Sequence, residues 1–303
     1  MSYLVVKQNV NRYYNFKVEL MYIESAPYPF EVEAALPLWI VMIFIVGACM
    51  GSFLNVCIWR IPREESIVHP PSRCPKCGHR LAWFENFPIF GWLLLRGKCR
   101  SCRSPISVQY LLMEILVGLL FSGVAVKVYS VHEPLIMLIP YFVATSLVVT
   151  TFFIDIRHYI IPNLTTYPAM LAGLILAAVF PEYWGFELWW QGLAASFISL
   201  AAVYLLLAAF AYIGEKIFKQ EALGGGDVKY MAAVSALLGL KCAFFTILLG
   251  SVTGSVFGLV MMAVKKKKMN VSIPLGPFLA TATYIWILCG DRFFEWYFSL
   301  KLF

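Results

Sequence analysis

The sequence predicts an all-α polytopic membrane protein with about eight transmembrane helices and one small soluble domain between the first two. Two observations predict this class. The chain of 303 residues is 61% apolar and only 14% charged, with a mean hydropathy of +0.76, which excludes an ordinary soluble protein. Its apolar runs are continuous rather than alternating. Because hydrocarbon cannot hydrogen-bond a free backbone, such runs predict helices rather than a barrel.

Each predicted span is an apolar run long enough to cross much or all of a bilayer. The sixth is short and runs almost directly into the seventh, so we expect a tight turn at Lys241 and Cys242. The predicted spans are 36–57, 109–129, 134–154, 164–180, 188–213, 228–241, 242–264 and 274–290.

The chain divides into five predicted parts. Residues 1–35 are polar and lack the pattern of a cleaved signal peptide. They are interpreted as a small external extension or as a segment ahead of a start at Met21. The other parts are the first helix (36–57), a soluble domain (58–108), a membrane core (109–290) and a C-terminal tail (291–303).

The basic residues predict the orientation, since cytoplasmic loops collect Lys and Arg. Segments 58–108, 155–163, 214–229 and 265–272 hold nine, one, three and four of the 24 basic residues, and the loops of the other parity are poor in them. We therefore expect both chain ends outside, with the soluble domain at the cytoplasmic face.

The net charge of +7 is explained by this topology and by attraction to anionic lipid. The run Lys265–Lys268 is accordingly interpreted as a membrane-surface anchor, and no nucleic-acid partner is expected.

Four cysteines in the soluble domain form two Cys-x-x-Cys pairs, Cys74 with Cys77 and Cys99 with Cys102. Four thiolates at this spacing are typical of structural zinc, and they leave no open position for a catalytic water. Gly78 supplies the turn after the first pair. The alternatives are a redox dithiol, iron, or cysteines without a metal.

Two aspartates stand next to hydrocarbon, where a carboxylate is costly and therefore indicates function. Asp155 closes one apolar run, and Asp227 follows Gly224, Gly225 and Gly226 at the mouth of another, 72 residues away. Two carboxylates brought together share a proton and can hydrolyse a peptide bond as general acid and base.

The surroundings of Asp227 support this interpretation. The glycines allow a substrate backbone to approach and permit positive backbone dihedrals. Lys229 either biases the pair or, as we favour, reaches lipid phosphate. The alternative for a single aspartate such as Asp227 is a helix cap.

Six motifs in order resemble the type IV prepilin peptidases over about residues 36–290. They are GSFLNVCIWRIP at 51–62, HPPSRCPKCGH at 69–79, GKCRSC at 97–102, FIDIRHYIIPN at 153–163, LGGGDVK at 223–229 and IPLGPFL at 273–279. One departure is Asn163, where many relatives carry Asp, so that position should not be essential.

The resemblance implies that Asp155 and Asp227 are the catalytic aspartates of a GxGD-type membrane protease. It implies cleavage of the basic leader of prepilins or pseudopilins at the cytoplasmic face, after a glycine and before the hydrophobic helix. It also implies N-methylation of the new terminus with S-adenosylmethionine as donor.

No glycine-rich nucleotide-binding fingerprint is present to locate the methyl donor. The candidate contacts lie around the soluble domain, and each has a structural alternative such as helix packing, interhelical hydrogen bonding, headgroup anchoring or a satisfied buried acid. These candidates are Gly51, Ser52, Asn55, Arg60, Glu85 and Glu114.

Two other functional classes remain open from the sequence. The carboxylates of an ion-coupled carrier would bind ions near the midplane, often between paired repeats, and no internal repeat is visible here. An assembly scaffold for a secretion machine would carry inert aspartates. The sequence does not indicate an oligomeric state.

Overall fold

The computed structural model describes residues 30–82, 84–219, 223–265 and 274–299. Within these ranges the chain is helical and contains no strand, only isolated bridges that pair Arg73 with Arg80 and Lys98 with Pro105. Most of the predicted N-terminal extension, Lys266–Lys268 of the predicted lysine anchor and the last four residues lie outside the described residues.

Eight α-helices are described in chain order. They are α1 (Phe30–Arg60), α2 (Phe90–Leu94), α3 (Val108–Ser130), α4 (Leu138–His158), α5 (Asn163–Val179), α6 (Trp189–Phe218), α7 (Gly225–Lys265) and α8 (Gly276–Ser299). Helix α8 continues to Ser299, so the described part of the predicted C-terminal tail at 291–303 is helical.

Among the described residues, five stretches are long and apolar enough to cross a membrane. They lie in α1, α3, α4, α6 and α7, while α5 and the apolar part of α8 are shorter. Many large apolar side chains of these helices are exposed, for example Leu205 and Phe210 on α6. Exposed apolar surface on this scale is expected of helices that face lipid. The described chain is therefore a multi-pass membrane protein.

Helix α7 is a hairpin of two arms rather than one straight rod. Tyr230 on the first arm donates to Thr283 Oγ1 over 2.9 Å, and Thr246 on the second arm lies 3.4 Å from the same oxygen. A straight helix would separate positions 230 and 246 by about 24 Å. The chain must therefore reverse between them.

The reversal occurs at Gly239, where φ is 83° and ψ is 173°. This backbone conformation is open almost only to glycine. The predicted turn at Lys241 and Cys242 is therefore wrong by two residues, although the prediction of two adjoining helical segments is confirmed.

The first arm of α7 lies at the centre of the membrane core. Tyr230, Ala233 and Val234 are fully buried within a cluster that also draws on α3, α4, α5, α6 and α8. Its neighbours approach closely, since a Cβ on Gly173 of α5 would lie 2.7 Å from the backbone of Ala236. The segment that begins at Asp227 is therefore the most enclosed one described.

Helices α1 and α3 form a separate tight pair. A Cβ added to Gly47 or Gly51 would lie 2.9 Å from the backbone of α3, at Gly118 and Glu114 respectively. Small residues at such an interface let helix backbones pack closely in a membrane. The soluble domain connects these two helices, so their packing fixes where that domain sits.

Candidate active site and cysteine cluster

Asp155 lies in the last turn of α4, three residues before the helix ends at His158. The predicted span ended at residue 154, but Tyr159 adopts a left-handed cap with φ of 56° and its N–H bonds the carbonyl of Asp155. Arg157 and His158 in the last turn suit the negative end of the helix dipole. Asp155 therefore belongs to the regular helix, and its side chain is buried.

One Asp155 carboxylate oxygen is held by a residue from the far end of the chain. Gly276, the first residue of α8, donates its N–H to Asp155 Oδ2 over 2.9 Å. A Cβ at Gly276 would lie only 2.6 Å from that oxygen, so only glycine allows this approach. Gly276 was not among the residues predicted for the site, and the motif at 273–279 was the signal for it.

Asp227 occupies the first turn of α7 and is half-buried. Its backbone N–H bonds the carbonyl of Gly224 over 3.0 Å, which starts the helix. Asp155 lies near enough to act on Asp227 through its charge. The structure thus brings together two carboxylates that are 72 residues apart in the sequence.

The three glycines before Asp227 have different surroundings. A Cβ at Gly226 would meet Ile161 Cβ at 3.0 Å, and one at Gly224 would lie 2.9 Å from Asp227 Oδ2, whereas Gly225 faces open space. None of the three has a positive φ. Gly224 and Gly226 therefore provide close approach between neighbouring atoms. The prediction that the glycines adopt positive backbone dihedrals is wrong.

Lys229 is engaged away from the carboxylates. Its Nζ donates to Asn163 Oδ1 over 2.8 Å and lies 5.6 Å from the ring centre of Tyr167. The contact joins the start of α5 to the start of α7. Lys229 thus supports the packing of the helix that carries Asp227, and the expected contact with lipid phosphate stays a prediction.

Thr151, one helical turn before Asp155, was missed by the sequence analysis. Its side chain is fully buried and its hydroxyl has no hydrogen-bond partner among the described residues. Thr145 and Thr150 on the same helix instead bond the carbonyls of preceding turns. A buried hydroxyl left open beside the carboxylate adds a polar group to this end of α4.

The four cysteines of the soluble domain converge on one point. Their sulfurs all lie within 4.8 Å of one another, with Cys74 and Cys102 3.8 Å apart and Cys77 and Cys99 3.9 Å apart. Four thiolates at tetrahedral zinc distances would be separated by about 3.8 Å. The cluster could therefore hold a metal ion of that size.

The two Cys-x-x-Cys turns have the same backbone geometry. In the first, the N–H of Gly78 bonds the carbonyl of Cys74, and in the second the N–H of Arg103 bonds that of Cys99. Both closing residues have a positive φ, 72° and 60°. The glycine expected at the first turn is confirmed, and an arginine tolerates the equivalent conformation at the second.

The protonation of the thiols also fits a cation site. Backbone N–H groups of Cys77 and Lys76 lower the pKa of the Cys74 thiol to about 6. The N–H of His79 acts in the same direction on Cys77, but burial and the neighbouring thiols raise its pKa to about 11. Thiolates this close repel one another, and a divalent cation between them removes the repulsion.

Glu114 joins the soluble domain to a membrane helix, whereas the contacts of Glu85 lie within the soluble domain. Glu114 on α3 accepts the N–H of Ile89 over 2.7 Å. Glu85 accepts the N–H of Ala82 over 2.7 Å and lies 3.2 Å from His79, and these two contacts lower the pKa of its carboxyl. Glu114 therefore matches the satisfied buried acid that was its alternative.

The remaining candidates for the methyl donor divide into two groups. Arg60 donates to the carbonyls of Ser66 and Pro70, so it fixes the loop after α1. Ser52 lies close to the carboxyl of Glu114. Asn55 Nδ2 and the second oxygen of Glu85, Oε1, are buried without a partner. A polar ligand that formed hydrogen bonds with these two atoms would satisfy both of them.

Comparison with known proteins agrees with this arrangement. The model of the bacterial peptidase A24 N-terminal domain matches residues 45–128, and that of the type IV leader peptidase family matches residues 142–259. No solved structure matches the chain.

Several curated relatives carry the name prepilin leader peptidase/N-methyltransferase. The protein of Myxococcus xanthus is 42% identical over 75% of this chain, a match that spans 64% of that relative. Those of Aeromonas hydrophila and Stutzerimonas stutzeri are 32% and 33% identical over 88% and 87% of this chain, and over 97% and 96% of their own lengths. The chain belongs to the type IV leader peptidase family.

Proposed function

We propose that this protein removes the leader peptide of prepilins or pseudopilins with Asp155 and Asp227, and then N-methylates the new terminus. The activities are those of the family and of the relatives' names. The observation that carries the residue assignment is the convergence of two carboxylates from α4 and α7 at the ends of their helices.

The chemistry follows from a shared proton. One carboxylate accepts a proton from water as the water oxygen attacks the scissile carbonyl carbon. The protonated partner donates its proton to the developing oxyanion. The first carboxyl then passes the proton it took from water to the leaving amine as the C–N bond breaks, and the partner regains a proton from a hydroxyl of the collapsing tetrahedral intermediate. No covalent intermediate with the enzyme is required. Gly276 keeps Asp155 in place through this sequence by its N–H contact.

The position of the carboxylates argues against an ion-coupled carrier. Such carriers bind their ions near the bilayer midplane. Asp155 lies in the last turn of one helix and Asp227 in the first turn of another. By the distribution of basic residues we place both at the cytoplasmic face, where a leader that stays in the cytoplasm would meet them.

Replacing either carboxylate tests the assignment. Asp155→Asn and Asp227→Asn should each lower the rate of leader cleavage by about 10²-fold or more, because general acid–base catalysis contributes 10²–10⁴-fold. The matched control is Glu182→Gln, an exposed carboxylate elsewhere. The product N-terminus of a purified prepilin is read by mass spectrometry, and full cleavage by either aspartate variant would exclude the mechanism.

We assign zinc to the cysteine cluster and a structural role to the metal. The sulfur separations match a tetrahedral thiolate site, and four protein ligands leave no position for a reacting water. Binding would join the two Cys-x-x-Cys turns and so stabilise a domain with few residues for a core.

We place the methyl donor between the soluble domain and helices α1 and α3. S-adenosylmethionine supplies the methyl group when bound. The two buried polar atoms without partners, Asn55 Nδ2 and Glu85 Oε1, can donate to and accept from its polar groups, and the carboxylates of Glu85 and Glu114 favour a cationic ligand. Asn55→Ala should weaken binding of S-adenosylmethionine measured by equilibrium dialysis, whereas Asn86→Ala, at an exposed position of the soluble domain, should not.

A further inference from the structure

A groove of about 520 Å³ lies between the second arm of α7 and the start of α8. Small residues at helical spacing form one side, so they lie on a single face of the arm. They are Ser251, Gly254, Ser255 and Gly258, and the other side is formed by Leu275 and Phe278.

The groove ends beside the carboxylates. Leu275 lines it, and the next residue, Gly276, donates its N–H to Asp155 Oδ2. A segment lying in the groove would therefore come close to Asp155, because the lining residue Leu275 is the direct neighbour of Gly276. The lining also includes Met262, and the rise from Ser251 to Met262 is about 16 Å, roughly half the thickness of the hydrocarbon.

At the bottom of the groove, Gly254 packs against α8 without a steric clash. A Cβ at Gly254 would meet Phe278 at 3.4 Å and Leu275 at 3.5 Å, which is ordinary contact. Small residues at this spacing allow the backbone of a second helix to approach closely in a membrane, where packing rather than water drives association.

Two hydroxyls in the groove are open. Ser251 and Ser255 are exposed, and neither has a hydrogen-bond partner in the part of the chain that is described. Thr253, on a neighbouring face of the same arm, instead bonds the carbonyls of Leu249 and Gly250. Open hydroxyls facing hydrocarbon gain from a partner that offers polar groups, which a lipid acyl chain does not.

We propose that the groove seats the hydrophobic helix of the prepilin, the segment that follows the scissile bond. This inference rests on the proposed function. A bond at the cytoplasmic start of a membrane helix reaches the carboxylates only if the helix lies in the bilayer beside them. Apart from the two serine hydroxyls the groove is apolar, and it ends next to the residue that contacts Asp155, so it meets each of these requirements.

The test compares two substrates that differ only in this segment. One is the full prepilin, and the other is a short peptide that carries the leader and the scissile bond but lacks the hydrophobic helix. Ser255→Leu fills the groove and should lower the ratio of kcat/KM for prepilin over peptide by about tenfold, the equivalent of 1.4 kcal/mol. Ala209→Leu, an exposed position on α6, should leave the ratio at the native value.

A second measurement does not depend on a variant of the groove. A prepilin with a photoreactive residue in its hydrophobic helix is irradiated with the Asp155→Asn protein, and the cross-linked peptide is identified by mass spectrometry. Cross-links to 251–262 are expected. Cross-links confined to other helices, or an unchanged substrate ratio in Ser255→Leu, would overturn the proposal while cleavage by the native protein would still support the protease. A native protein that cleaves neither substrate would refute the proposed function itself.

Discussion

The cysteine cluster and the carboxylate pair are assembled in opposite ways. The cluster takes its four sulfurs from two short turns in one loop, and each turn closes through its own backbone hydrogen bonds. The carboxylate pair takes one residue from the end of α4 and one from the start of α7, and it depends on Gly276, 121 residues beyond Asp155. Local spacing specifies the first site, while only the packed bundle specifies the second.

This difference predicts how each site fails. Removing a ligand from the local site should destroy that site and destabilise the soluble domain around it, while the membrane helices stay packed because they do not depend on it. Changing a residue at the carboxylates should alter catalysis without unfolding the protein.

Replacing the first cysteine pair should release the metal. Cys74→Ser with Cys77→Ser leaves two thiolates, too few for a structural zinc site, and structural zinc in small domains contributes about 10 kcal/mol or more. The number of zinc ions per chain, measured by inductively coupled plasma mass spectrometry, should fall from one to none. Methylation of the product should be lost as well. Cys289→Ser, away from the cluster, is the control. Retained zinc in the double variant would contradict the four-thiolate site.

Adding one methyl group at Gly276 should disturb the carboxylates directly. In Gly276→Ala the new Cβ would lie 2.6 Å from Asp155 Oδ2, so the carboxylate must move and its contact with the backbone N–H weakens. A displacement of this order costs about 10²-fold in rate. The kcat of leader cleavage should fall by that factor while zinc stays bound.

Gly225→Ala provides the matched control for Gly276→Ala. No atom lies within 4 Å of a Cβ at Gly225, although this glycine belongs to the motif that precedes Asp227. Its kcat should stay within about threefold of the native value, since surface substitutions of this kind change little. Equal losses in both variants would mean that backbone freedom, rather than the space around Asp155, is what the glycines supply.

The sequence predicted what depends on neighbouring residues. Continuous apolar runs gave the helices, and the Cys-x-x-Cys spacing gave a cluster that the structure closes to within 4.8 Å. The contact of Gly276 with Asp155 was not predicted, because no periodicity links residues 121 positions apart. Helix α4 continues four residues beyond the predicted span for a local reason, since Asp155 itself remains helical and the helix ends in a left-handed cap at Tyr159.

The reversal in α7 was predicted in kind but not in place. The short sixth apolar run, which leads directly into the seventh, suggested a turn at Lys241 and Cys242, yet the chain turns at Gly239. Glycine was the better signal, because only it adopts a φ of 83° with an extended ψ without strain. Helical hydrophobicity alone cannot identify such a position, since both arms are apolar.

Substitution of Gly239 should therefore destabilise the core. Gly239→Ala forces a conformation that costs about 1–3 kcal/mol, and thermal unfolding in detergent should begin at a lower temperature. Gly185→Ala is the control: its φ of 77° and ψ of 25° lie in the left-handed region, where an L residue costs less. If the two variants unfold at the same temperature, the backbone conformation of Gly239 does not stabilise the α7 hairpin.

The smallest effect is expected at the contact between Lys229 and Asn163. Asn163→Asp converts a neutral acceptor, 2.8 Å from Lys229 Nζ, into an ion pair at a partly exposed site. Such pairs contribute about 0–1 kcal/mol, so thermal stability should rise slightly or stay unchanged. Lys229→Met should lower the free energy of unfolding by a similar amount.

Since Lys229 is engaged with Asn163 rather than with Asp227, leader cleavage by both variants should stay within about threefold of the native rate. A loss of about 10²-fold in Lys229→Met, with unchanged stability, would instead place this lysine in the chemistry and would make the carboxylate site larger than the pair described here.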